Sequence, residues 1–188
     1  MIALGEWARS NPLPDKPWLL LGKGPTFSRR SEFDLEMYNL LGLNHVVREL
    51  EVDVAHAIDV DVVSACSDVL RTNCRWLMMP RRPHEDFRPA PKLLEEFFDE
   101  LPVLRELSEA GRLVWYNLSN SPPVGHAPVI GAKWFSSEAA LNILGYLDVP
   151  TVRSLGIDGG RGYSPTHNEG GYPWGSETVV HTGEDARQ

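Results

Sequence analysis

The chain has 188 residues, 42% hydrophobic and 23% charged, the proportions of a globular domain with a sizeable core. A formal net charge of −8 and a pI near 5.2 exclude broad binding to a phosphate backbone, which needs a basic face, yet allow one small phosphorylated ligand held by a local cation. No apolar run is long enough to span a bilayer, no leader-like segment opens the chain, and two cysteines, Cys66 and Cys74, are too few for a disulfide scaffold and lack metal-type spacing; a reducing cytoplasm is the expected location.

Residues 1–16 read as a loose lead-in, with Pro12, Pro14 and Pro17 nearby. WLLLGKG at 18–24 reads as a buried strand running into a glycine turn. YNLLGLNHVV at 38–47 predicts a second strand, and VDVAHAIDVDVV at 52–63 a third that ends near Asp59 or Asp61. A helix is expected over 64–73, then a strand at 74–80 stopped by proline. Leu and Phe recur at helical spacing over 92–111, with Pro102 breaking the run and Gly111 closing it. A strand at 112–119, an amphipathic helix at 136–148 capped by Ser136 or Ser137, and a last strand at 151–158 complete the pattern. The alternation predicts one α/β domain over 17–165, Rossmann-like, with a mostly parallel sheet covered by helices on both faces, and a polar, glycine-rich tail over 166–188.

In such sheets ligands bind outside the carboxyl ends of the strands. The polar strand ends are therefore the candidate site. Gly22, Gly24, Pro25 and Thr26 follow the first strand, in a loop that either cradles a phosphate with its N–H groups or simply turns. It is neither a Walker loop nor a dinucleotide fingerprint. Asn44 can read a base or ribose, or merely end a strand; His45 is next to it. Asp59 and Asp61 would share one face of a strand and can hold Mg2+ with a diphosphate, or stand as solvated carboxylates. Ser136 and Ser137 place a helix N-terminus and two hydroxyls at the same edge. Asp158, Gly159, Gly160 and Tyr163 form the loop GIDGGRGYSP, and His167 and His181 follow as candidate general bases. Arg29–Arg30 and Arg81–Arg82 are basic clusters whose plain reading is a solvated surface. Trp7 and Trp174 are candidates for a partner surface, and with it for homo-oligomerisation.

The stretches LLLGKGPTF, NLLGLNHV, SSEAALNILGYL and VRSLGIDGGRGYS, in this order, resemble the bacterial sialyltransferase-like superfamily. That superfamily includes lipooligosaccharide sialyltransferases and related motility-accessory and pterin pyrophosphokinase-like proteins. The resemblance implies a nucleotide-sugar site, with a CMP-sugar as donor. It assigns Gly22, Gly24, Pro25, Thr26, Asn44, Ser136 and Ser137 to the nucleotide, and sets Gly156, Ile157 and Asp158 beside it. The family continues into a lid-like segment with tyrosines and a catalytic histidine; here about thirty residues follow Asp158, with Tyr163, Tyr172, His167 and His181 among them. The expected activity is transfer of a sugar to an acceptor, a polysaccharide or nucleic acid, with Asp158 and Tyr163 bordering the sugar and His167 as base. A phosphotransferase or pyrophosphokinase acting on a pterin or nucleoside, and a non-catalytic nucleotide-binding module, are the competing readings.

Overall fold

The computed structural model describes residues 1–10, 13–133 and 135–158. A short strand β1 (Ile2–Ala3) runs directly into helix α1 (Leu4–Ser10). β2 (Trp18–Leu21), β3 (Asn39–Leu43) and β4 (Val52–His56) follow, separated by 3-10 turns. Helices α2 (Val60–Cys66) and α3 (Leu70–Asn73) lead to β5 (Cys74–Pro80). A small antiparallel hairpin, β6 (His84–Glu85) and β7 (Arg88–Pro89), precedes α4 (Pro102–Glu109) and β8 (Leu113–Leu118). β9 (Val129–Ile130), α5 (Ser136–Tyr146) and β10 (Val152–Leu155) end the described chain.

The eight-stranded sheet has the order β10–β2–β3–β4–β5–β8–β1, with β9 pairing further along β8, and every pairing is parallel. This is the expected Rossmann-like α/β architecture. From β2 to β8 the chain steps one strand at a time in one direction. Crossovers of one hand then place all these connections on one face. There Leu19, Leu21, Val46, Val63, Cys66, Leu77, Phe97 and Leu104 form one core. The alternate residues Trp18, Leu20, Leu41, Val54, Trp76 and Met78 point to the other face and meet α1 and α5. Ala139 and Ala140, fully buried, let α5 lie close on the sheet.

Several expectations need correction. Residues 2–10 are not a loose lead-in: β1 pairs with β8 at Val114 and Trp115, and Leu4 and Trp7 are buried. Trp7 packs edge-on against Trp76 at 5.4 Å, so it belongs to the core and not to a partner surface. The strand expected over 38–47 stops at Leu43, where Asn44 turns at φ +52 into a 3-10 segment that buries Val46 and Val47. The strand expected over 52–63 ends at His56. Val60, Val63 and Cys66 recur every third residue and bury one face of a helix, which outweighs the β-branched preference of the valines. The helix expected over 64–73 is thus the end of α2 followed by α3. Pro102 starts α4 where it was expected to break a helix, and Gly111 at φ +66 closes it.

His56 lies wholly inside, its Nε2 2.8 Å from the Tyr116 hydroxyl. Burial pushes the imidazole pKa down to about 3. Between pH 6.5 and 3 the unfolded chain therefore binds the proton that the fold refuses, so stability falls as pH falls, by at most about 1.4 kcal/mol per pH unit from this group. Urea titrations across this range should show the loss, and His56→Gln should flatten it. Cys66 and Cys74 are buried free thiols, each raised to about 11 by burial. Among the described residues no helix is long and apolar enough to cross a membrane.

Candidate functional site at the carboxyl edge of the sheet

The loops after β2 and β10 lie against each other. Gly22 N–H donates to Leu155 O at 2.8 Å and Gly24 N–H to Gly156 O at 2.9 Å. A Cβ on Gly22 would stand well under 3.0 Å from the Gly156 carbonyl oxygen, and Gly156 itself adopts φ +71, so glycine is required on both sides. Asp158 closes the junction. Its carboxylate accepts the Thr26 N–H at 2.9 Å and the Thr26 hydroxyl, and that hydroxyl accepts the Gly156 N–H at 2.8 Å. Gly22, Gly24, Thr26 and Asp158 are thus brought together as expected. However, the N–H groups of Gly22, Gly24 and Thr26 are spent on holding the two loops. The group this loop sends inward is the Lys23 ammonium.

Lys23 Nζ lies 3.2 Å from His45 Nδ1. Burial lowers the lysine pKa to about 8, against the opposing pull of the Cys66 and Asp59 charges. Asn44, held at φ +52, keeps its buried Oδ1 without a hydrogen-bond partner among the described residues. Asn44 also lines, with His56 and Cys66, a cavity of about 10 Å³, room for one water at most.

Asp59 and Asp61 do not share a strand face. Asp59 occupies the N-cap position of α2, and Asp61 lies in its first turn. Asp61 Oδ2 accepts the Asp86 N–H from the hairpin at 3.3 Å. Asp59 Oδ1 is 3.9 Å from His84 Nδ1, and His84 Nε2 is 3.2 Å from Asn120 Nδ2. Burial raises the Asp59 pKa, with His84 opposing; burial lowers that of His84, with Asp59 opposing. A divalent cation at Asp59 and Asp61 would share these carboxylates with His84 and the Asp86 N–H. Among the described residues no group of three or more His, Cys, Asp or Glu is arranged to hold a metal ion.

Ser136 and Ser137 begin α5 but do not cap it. Phe135 takes the cap position, and the Glu138 carboxylate accepts the N–H groups of Phe135 at 3.1 Å and Lys133 at 2.9 Å. An anion at this helix end would compete with Glu138. Beside it lies an open groove of about 550 Å³ lined by Ser119, Asn120, Lys133, Glu138 and Asn142. Asn120 thus joins the groove to His84.

Of the basic clusters, Arg29 stays on the surface in a local pair, and the others are engaged by the fold. Arg29 pairs with Glu32 and Arg30 with Glu49; Arg81 pairs with Glu95 at 2.5 Å and lies over Trp115. Gly159, Gly160, Tyr163, His167, Tyr172, Trp174 and His181 lie outside the described residues. Sequence reasoning gave no role to Lys23, His84 and Glu138. A lysine between two glycines at a strand end was the one available signal; His84 and Glu138 carry none, since only the hairpin and α5 bring them to this edge. No family model, curated protein or solved structure matches the chain.

Proposed function

We propose that the carboxyl edge binds a nucleotide-activated sugar, and that the protein is a small glycosyltransferase-like enzyme passing that sugar to an acceptor hydroxyl. The observation that carries this reading is the pairing, at one sheet edge, of a half-buried lysine on a glycine loop with an Asp59–His84–Asn120 chain. Lys23 offers the cation for the donor phosphate, within a protein that is acidic overall. The resemblance to the sialyltransferase-like superfamily assigns Asn44, the turn residue that follows β3, to the base or ribose. CMP-sugars are the donor class that this resemblance implies.

His84 is the base within the described residues that best suits the reaction. Burial favours its neutral form, and Asp59 at Nδ1 would stabilise the imidazolium once formed. In the proposed step the acceptor hydroxyl gives its proton to Nε2 in place of the Asn120 amide. The acceptor oxygen bonds the anomeric carbon, the bond from that carbon to the phosphate oxygen breaks, and the nucleotide leaves as an anion facing Lys23.

A thermal-shift screen against CMP, UDP, GDP, their sugar conjugates, ATP and pterins, with and without Mg2+, tests the reading. One nucleotide sugar at a hundred times its Kd should raise Tm by about 5–10 °C. Silence from every nucleotide sugar would overturn it. A shift only with ATP and Mg2+ would replace it with the pyrophosphokinase reading.

A further inference from the structure

The β6–β7 hairpin joins Glu85 to Arg88 through two residues, Asp86 at φ +49 and Phe87 at φ +62. Positive φ at both positions is the pattern of a type I′ turn, which favours Asn-Gly or Gly-Gly. A phenylalanine there is strained, because its Cβ crowds the backbone. The ring gains nothing from the core in return: Phe87 is 71% exposed. A two-residue turn thus holds a large apolar side chain out in solvent in an unfavourable backbone shape, and strain of this kind clusters at functional sites.

The hairpin is also fastened to the candidate site. His84 N–H donates to Ile58 O at 2.9 Å, Asp86 N–H to Asp61 at 3.3 Å, and the His84 ring meets Asp59 and Asn120. Its rim is acidic, with Asp59, Asp61, Glu85 and Asp86 against Arg88, while the neighbouring Arg82 is engaged by the carbonyls of Ala90 and Pro91. Phosphate is disfavoured at such a rim.

We propose that Phe87 is a stacking platform for the ring of an uncharged saccharide, which would be the acceptor in the transfer described above and in that respect rests on that reading. The apolar face of a sugar ring packs on an aromatic ring without placing charge near the carboxylates, and a hydroxyl of that sugar would then lie toward His84.

The test is an array of neutral and acidic oligosaccharides probed with the wild-type protein and with Phe87→Ala, Phe87→Gly and Phe87→Trp, alongside titration with CMP and vesicles of phosphatidylcholine and phosphatidylglycerol. The wild type should bind at least one neutral glycan. Phe87→Ala and Phe87→Gly should weaken that binding about 10-fold and Phe87→Trp should retain it, with CMP affinity unchanged within about twofold. Phe87→Gly should melt no lower than wild type, since glycine relieves the turn. Failure of the wild type to bind any neutral glycan, equal binding by Phe87→Ala, or Phe87-dependent binding to vesicles without glycan binding would each overturn the proposal. Phe87-dependent glycan binding with no nucleotide response would uphold the platform and sink only the nucleotide reading.

Discussion

Gly22→Ala should lower Tm by about 10 °C, a loss of about 3 kcal/mol in a chain of this size. The new methyl would meet the Gly156 carbonyl oxygen and Ile157 Cδ1, both well under 3.0 Å away. Backbone cannot swing aside as a flexible side chain can. The strands β2 and β10 would have to part where Thr26 and Asp158 clamp them. Gly145→Ala in α5 is the control. Nothing lies within 4 Å of a Cβ there, so alanine should stabilise by about 0.5–1 kcal/mol through helix propensity. Urea denaturation of both variants measures the contrast. A Gly22→Ala protein as stable as wild type would mean that the two loops do not meet.

Lys23→Met should have opposite effects on folding and on binding. With a folded pKa of about 8, the lysine is still charged near pH 7, and burial penalises that charge. Methionine keeps the stem and removes the charge. The variant should be more stable near neutrality by about 1–2 kcal/mol, even with the Lys23–His45 hydrogen bond removed. Nucleotide-sugar affinity should fall about 10–100-fold, the usual worth of a hydrogen bond to a charged group. The pH dependence follows with a definite sign. Between pH 8 and 10.5 the unfolded chain holds a proton that the folded lysine has released, so wild-type stability from this group rises with pH across that window. Anion binding needs the charged form and should fall as pH passes about 8. Calorimetric titration at about pH 7 and about pH 9.5, on either side of the lysine's folded pKa, measures the binding trend, and denaturation at both measures the stability trend. Loss of affinity without the pH trend would mean that Lys23 acts through its packing.

The strands were legible because parallel strands covered on both faces must be apolar almost throughout: WLLL, NLLGL and CRWLMMP cannot serve another purpose in a chain this size. The helix at Ser136–Tyr146 was legible from its alanine and leucine spacing. Local reading failed at 52–63, where alternating valines suit either structure and only packing on the sheet selects the helix. It failed again at residues 1–10, because β1 pairs with a strand more than a hundred residues away.

By itself, the sequence determined the α/β class, the parallel sheet and the edge at which polar strand ends gather, since these follow from hydrophobic patterning and the direction of the strands. Only the tertiary structure decided which of those polar groups are engaged with one another. It gave the loop amides to β10, the Thr26 hydroxyl to Asp158, the helix end to Glu138, the Lys23 ammonium to His45 and the His84 ring to Asp59 and Asn120, and it held Phe87 out in solvent. The reason is physical. A side chain's partners come from distant strands and loops, and hydrogen bonding and burial, not residue type, set which donor is spent and which charge is exposed.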